Sequence, residues 1–182
     1  MALMDLKGRS KSAKRGHKLL KDKQDGLMQQ FLSIIKEAKD LRTTVEDQLG
    51  NVFQKFLLAS AWMSDAKMEN ALSSPQAKIE LEVETKNVMS VKIPLFSIKK
   101  TGNIKAYGMA GTNALLDEAV EALENLFEIL VNLAQIEKQA EAMAIELETT
   151  RRRVNALEHK MIPDLDQTVK YIKMKLDESE RA

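Results

Sequence analysis

The 182-residue chain has no cysteine, which removes disulfides, thiolate metal sites and a cysteine nucleophile together. The absence is compatible with a reducing compartment. Aromatic residues make up only 4% of the chain, with 3 prolines and 7 glycines. A compact globular core draws on more aromatic bulk, so this balance fits long helices better. No apolar run approaches the roughly 18 residues that a membrane-spanning helix needs. The chain turns charged directly after Met1–Met4, so it lacks the apolar segment of a signal peptide. The reading is a cytoplasmic protein with no direct membrane span. Formal net charge is +1, too small to pull the whole molecule onto nucleic acid or membrane.

Catalytic signatures are missing too. No glycine-rich loop ending in Gly-Lys-Ser/Thr is present to cradle phosphates, and no nucleophile elbow. His17 and His159 are the only histidines, and two isolated histidines without cysteine make a poor zinc site. Carboxylates abound, as on any charged helix, but none lies in an identifiable apolar pocket that would make it a general acid. The sequence therefore points to no catalytic residue, no cofactor and no metal.

What is present is periodicity. In the last third, Leu115, Ala119, Ala122, Leu126, Ile129, Leu133, Ile136, Ala140, Met143, Leu147, Thr150, Val154, Leu157 and Met161 alternate steps of four and three. Every member but Thr150 is apolar, and the run exceeds six heptads, beyond the three or four that argue a coiled coil. At about 1.5 Å per residue this stretch alone is roughly 70 Å long. Past Met161 the seam continues through Leu165, Val169, Ile172 and Leu176, after two successive steps of four. Such a stutter locally unwinds a left-handed coil. Pro163 lies at the same place and predicts a bend near Ile162–Pro163.

The first third carries a looser version: Leu20, Gln24, Leu27, Phe31, Ile34, Ala38, Leu41 and Val45, then Leu49, Val52, Phe56, Ala59, Met63 and Ala66. Gly26 and Gly50 either permit close helix approach or are simply tolerated, at about 1 kcal/mol each. Gly8 weakens the expectation of helix at the first turn. Ser73, Ser74 and Pro75 end this helix.

In the middle the period becomes two. Ile79, Leu81 and Val83 alternate with Glu80, Glu82 and Glu84, and Met89, Val91 and Ile93 follow at the same parity. The expected hairpin spans 79–93, with Glu84 paired to Val88 around Thr85, Lys86 and Asn87. Val83 then faces Met89, Leu81 faces Val91, Ile79 faces Ile93 and Glu80 faces Lys92. Asn87 takes the left-handed position, and Pro94 ends the second strand. Leu95–Thr112, punctuated by Gly102, Gly108 and Gly111, reads as a mobile connection. Thr112 or Asn113 caps the last helix.

The predicted fold is mainly α: a long antiparallel two-helix coiled coil with a short β-hairpin insert at its far end. It is a single domain over 1–182, with an N-terminal helix over 10–72, hairpin and connection over 73–112, and a C-terminal helix over 113–180. Matched helix lengths favour the intramolecular hairpin over a parallel homodimer.

Charge is bipolar. Lys7, Arg9, Lys11, Lys14, Arg15, Lys18, Lys21 and Lys23 face a single acid, Asp22, in that stretch. From Gly111 to Thr150 there are nine acids and one base, Lys138, and then come Arg151, Arg152 and Arg153. In an antiparallel pair both basic stretches fall at one pole, which suits an acidic partner surface, phosphate or lipid headgroups. From the residues alone the function is that of a coiled-coil interaction protein. A nucleic-acid-binding arm and a self-assembling scaffold stay open beside it.

Two stretches are more specific. Arg15-Gly16-His17-Lys18-Leu19-Leu20-Lys21-Asp22-Lys23-Gln24-Asp25 is one. Thr150-Arg151-Arg152-Arg153-Val154-Asn155-Ala156-Leu157-Glu158, followed by Ile162-Pro163 and Tyr171-Ile172-Lys173-Met174-Lys175-Leu176, is the other. In order and separation they resemble the ends of the D subunit of V-type/A-type rotary ATPases. The resemblance implies the central stalk, or rotor shaft, of a rotary ATPase or ATP synthase. Such a stalk is non-catalytic and transmits torque between the A/B catalytic hexamer and the membrane ion-translocating ring. Implied partners are the A and B subunits, the F subunit, and the C subunit that links to the membrane rotor ring. No nucleic acid is among them, and the location is cytoplasmic, peripheral to the membrane. Lys14, Arg15, Lys18, Arg151, Arg152 and Arg153 become the candidate contacts with the catalytic head. Ile79, Leu81, Val83, Met89, Val91 and Ile93 become a candidate partner-binding or regulatory hairpin. Members of this family continue past the equivalent of Asp177–Arg181, so a further tail is expected to add contacts in the head.

Overall fold

A computed structural model describes residues 2–73, 75–108 and 112–181 of the protein. In chain order the elements are α1 Ala2–Ala61, α2 Asp65–Leu72, β1 Lys78–Val88, β2 Val91–Thr101, α3 Ala114–Ala156, a π-helical turn Leu157–Met161 and α4 Ile162–Arg181. Ser74 and Gly111, expected to help end the first helix and punctuate the connection, lie outside the described residues. The chain divides into two compact units: one holds α1 up to Leu32 and everything from Ala142 onward, the other spans Ser33–Glu141.

In the second unit α1 and α3 run antiparallel. Arg42 pairs with Glu137 at 2.5 Å, Lys55 with Glu118 at 3.9 Å, and Asn113 Nδ2 donates to the Ala59 carbonyl at 3.4 Å, so partner numbers fall as α1 advances. Val45, Val52, Leu126 and Leu133 form the core, with Leu41, Leu49, Ala122 and Ile129 packed around it. These are the residues of the two predicted seams, because only the face repeating every 3.5 residues stays turned to the neighbouring helix. Asn113 is the cap of α3: its Oδ1 accepts the Leu116 N–H at 2.9 Å. Gly50 meets nothing within 4 Å of where a side chain would begin, so it is tolerated rather than required for close approach.

The N-terminal helix expected over 10–72 is not continuous. It starts at Ala2, running through Gly8, stops at Ala61, and resumes as the short α2 after an extended Ser64 (φ −76°, ψ 149°). The reason is loss of a partner. Asn113, the residue before α3, already bonds to Ala59, so beyond that level α1 has no antiparallel helix to pack on. An isolated helical turn is marginal without tertiary packing, and Trp62 at the break is 80% exposed.

The hairpin is longer than expected and in a different register. Val88 pairs with Val91 around a two-residue turn, Met89–Ser90, both residues having positive φ (51° and 70°). That is the turn whose twist matches a two-residue hairpin. Val83 therefore faces Phe96, Leu81 faces Ile98, and Ile79 faces Lys100, not Met89, Val91 and Ile93; Glu80 faces Lys99, not Lys92. Asn87 is an ordinary strand residue opposite Lys92. Pro94 does not end β2; it sits opposite Thr85. Counting from the hydrogen-bonded Val88–Val91 pair, the Thr85–Pro94 pair is a non-hydrogen-bonded one, so the nitrogen of Pro94 points away from β1 and no ladder bond is lost. The segment expected as connection from Leu95 is strand as far as Thr101.

In the first unit α1 again runs antiparallel to its partner helices: Ser10 and Lys14 meet Asp166, His17 meets Glu158, and Lys23 meets Glu146. Leu27, Met143, Thr150 and Val154 are buried between them. At the expected bend there is a π-turn, in which the Ile162 N–H bonds to the Leu157 carbonyl. Met161, expected on the seam, is 51% exposed, and Ile162 takes the inward position.

Candidate partner interfaces

Five of the basic residues of α1 fall on one face. Lys7, Lys11, Lys14, Arg15 and Lys18 lie within about 100° of the helix circumference at 3.6 residues per turn. They line a groove in the first unit whose far wall is Asp166 and Val169 of α4. One acid, Asp166, lines the groove. Asp166 Oδ2 accepts from Lys14 Nζ at 2.8 Å and Oδ1 accepts from Ser10 Oγ at 2.8 Å. The Lys14 hydrogen bond, then that of Ser10, holds the Asp166 carboxyl below its usual range. Among the described residues Lys7, Lys11, Arg15 and Lys18 form no ion pair, so their charge is available at the surface.

Arg151, Arg152 and Arg153 project from α3 between two buried seam residues, Thr150 and Val154. Arg152 is paired with Glu148 one turn back, whereas Arg151 and Arg153 have no ion pair among the described residues. The His17–Glu158 contact at 3.2 Å and the Lys23–Glu146 bond at 2.6 Å bracket this stretch. The three arginines thus lie alongside the part of α1 between His17 and Lys23. Lys18 falls inside the same interval, and Lys14 and Arg15 lie towards Asp166.

The acids of α3 behave differently, because most are already answered. Glu118 meets Lys55, Glu121 meets Lys105 at 3.0 Å, Glu124 and Glu128 share Lys100 at 3.3 and 2.7 Å, and Glu137 meets Arg42. Hydrogen bonding to Glu128 is the main cause raising the ammonium pKa of Lys100, and bonding to Glu121 does the same for Lys105. The acidic end is largely neutralised from within, while the basic groove is not.

Lys100 belongs to the seating of the hairpin, which sequence reasoning missed. The Phe96 N–H donates to Gln135 Oε1 at 2.6 Å, and Gln139 Nε2 donates to the Pro94 carbonyl at 3.2 Å. Residues 94 to 100 of β2 span about 20 Å at 3.3 Å per residue, which matches 13 helical residues of α3 at 1.5 Å each, also about 20 Å. β2 is laid along α3 in the opposite sense. Val91 and Ile93 are each only 6% exposed, so their apolar surface is used within this unit, and Met89 is in the turn. Ile79, Leu81 and Val83 stay open at 43%, 49% and 57% exposure. The six hairpin residues therefore separate into three that seat or shape the ribbon and three that present it. Tyr107 closes the connection on α3 by donating to Asp117 Oδ1 at 2.6 Å, and burial with that bond raises its phenol pKa.

Among the described residues no group of three or more His, Asp or Glu is arranged to hold a metal ion, and no helix is long and apolar enough to cross a membrane. Antiparallel helices packed on apolar seams in each unit, with an inserted ribbon, define a protein of the coiled-coil class. The family model for the ATP synthase D subunit matches residues 2–182, and the chain belongs to that family. It is 53% identical to a V-type ATP synthase D subunit of Fusobacterium nucleatum, over all of this chain and 88% of the relative. It is 48% identical to that of Clostridium botulinum (strain ATCC 19397 / Type A) and 47% identical to that of Clostridium novyi (strain NT), again over all of this chain and 87% and 86% of those relatives.

Proposed function

We propose that this chain is the central stalk, the rotor shaft, of a V-type/A-type rotary ATPase or ATP synthase. In this reading it is non-catalytic and transmits torque between the A/B catalytic hexamer and the membrane ion-translocating ring. It works on the cytoplasmic side, peripheral to the membrane. The observation that carries the reading is the buried seam in a chain of this family: Leu126, Leu133, Ile136, Ala140, Met143, Thr150 and Val154 are all inward. Close-packed apolar layers resist shear, and a shaft must resist twist.

The charge pattern supports a division of labour. Lys14, Arg15, Lys18, Arg151, Arg152 and Arg153 supply a basic surface suited to acidic walls of the A and B subunits. An off-centre basic shaft fits one arrangement of the surrounding subunits better than the others, so a change in that arrangement turns it. The hairpin residues Ile79, Leu81 and Val83 serve the opposite task, offering a partner-facing or regulatory surface where the F and C subunits join.

The test is co-elution of the full chain with a purified A/B hexamer, with ATPase activity followed in the same fractions. One copy per hexamer with altered turnover is the expected result. Absence of binding, with the F subunit also supplied, would overturn the reading.

A further inference from the structure

The two edges of the hairpin are treated differently. Because Val88 and Val91 close a two-residue turn, the pairs Lys86–Ile93, Glu84–Leu95, Glu82–Ser97 and Glu80–Lys99 exchange ladder hydrogen bonds. The N–H and C=O groups of Ile79, Leu81, Val83, Thr85 and Asn87 consequently point away from β2. On β2 the middle of the outward edge is taken up by α3: Pro94 has no N–H, its carbonyl accepts from Gln139, and the Phe96 N–H is bonded to Gln135. Among the described residues nothing corresponds on β1: Lys78 to Asn87 are all exposed, and no further strand pairs with β1.

We propose that the free edge of β1 is a strand-addition site for an extended partner segment in which apolar residues alternate with lysine or arginine. Main-chain bonds from an incoming strand would satisfy the open edge, and alternate side chains would supply selectivity. The chemistry of the occupant follows from the two faces. An added strand extends each face of the ribbon. Its apolar residues fall beside Ile79, Leu81 and Val83, and its basic residues beside Glu80, Glu82 and Glu84. Glu82 is answered by Lys99, whereas Glu80 and Glu84 have no ion pair among the described residues.

A second copy of this chain does not fit. Two β1 strands overlapped antiparallel along most of their length set glutamates opposite glutamates, with Lys86 able to answer only some of them, and a parallel pair sets glutamates beside the apolar stripe; both are unfavourable. The acidic alternation thus disfavours self-pairing and favours a basic strand. The proposal deepens the reading of the hairpin as a partner-facing element and rests on that reading. The fit of the helices in the hexamer does not depend on it.

The experiment is amide hydrogen exchange on the full-length chain, titrated with an 11-residue peptide of alternating valine and lysine. The expected result is at least tenfold greater protection of the Ile79, Leu81, Val83 and Thr85 amides, with little change at Glu80, Glu82 and Glu84, which already bond to β2. A Glu80→Lys/Glu84→Lys variant is expected to weaken binding at least tenfold. The same peptide N-methylated at the residues facing β1 is expected not to bind, a control that leaves the protein untouched. No binding overturns the proposal. So does binding without protection of those amides, or equal binding of the N-methylated peptide, since either shows side-chain docking only. Hexamer co-elution reads the stalk assignment separately, so failure of one is distinguishable from failure of the other.

Discussion

Ile162 donates its N–H to the carbonyl of Leu157, five residues back along the helix. This one bond accounts for two irregularities in the sequence. Inserting a residue moves the inward position from Met161 to Ile162. The steps then run five from Leu157 to Ile162, three to Leu165, four to Val169 and three to Ile172, so regular alternation resumes after the insertion. The bond also lies directly before Pro163, so the ladder is already shifted at the point where the proline withholds an N–H.

Deleting Lys160 removes the extra residue and restores the seam spacing, but it leaves Pro163 in a regular α-helical ladder without the π-turn beside it. The expected cost of that deletion is about 3 kcal/mol. Combining the deletion with Pro163→Ala should recover most of it. Urea unfolding of the two single variants and the double variant forms the cycle that measures the coupling. Additive effects would contradict the link between the π-turn and the proline.

The seam itself should be sensitive at its best-buried members. Leu126 is fully buried, and Leu126→Ala is expected to cost about 2–5 kcal/mol. Leu133→Asp should cost more, because it buries an unpaired charge. Thr150 goes the other way: it is 1% exposed and its Oγ1 has no hydrogen-bond partner among the described residues. Thr150→Val removes that stranded hydroxyl, and a gain of about 1 kcal/mol is expected. Thermal unfolding of each variant measures the sign.

Met89 and Ser90 hold left-handed backbone without being glycine. Ser90→Gly should therefore stabilise the hairpin by about 0.5–1 kcal/mol, once the entropy of glycine in the unfolded chain is subtracted. Slower amide exchange across β1 and β2 would register the gain, and unchanged or faster exchange would speak against the turn.

Asp166 provides the pH dependence. Its carboxyl is held below the ordinary value of 3.8 by Lys14 and then Ser10. Its contribution to stability is complete above that ordinary value and is lost as pH falls through the folded one. Asp166→Asn should be less stable than the parent at neutral pH, with the gap closing on acidification below about pH 4. A gap that persists unchanged in acid would show that the charge is not what matters.

The helices were legible because their signal is redundant: fourteen positions in one alternation were read together, and the departures at Met161 and at Leu115, where the neighbouring Leu116 is the fully buried residue, leave the seam standing. Ser10 was legible in principle, since it continues the α1 register upstream of Leu20 and a polar seam position needs a partner. Asp166, however, is distant in sequence. The hairpin register was not legible. Alternation of period two fits several registers equally, and Met89–Ser90 lacks the glycine or asparagine that marks a two-residue turn. Pro94 looked like a terminator because its tolerance depends on which way its nitrogen faces, a consequence of the register itself. The basic residues were readable as a cluster. Their placement in a groove lined by a single acid was not, because it depends on α4 returning beside α1.

The absence of cysteine offers the most direct test of the stalk assignment. Ser90→Cys introduces one thiol at the tip of the ribbon, and a bead attached there reports the motion of the chain within an immobilised A/B hexamer. On addition of ATP the account predicts unidirectional rotation of the bead, stopping when ATP is withdrawn. A bead that stays still while the same hexamers hydrolyse ATP with the chain bound would contradict it.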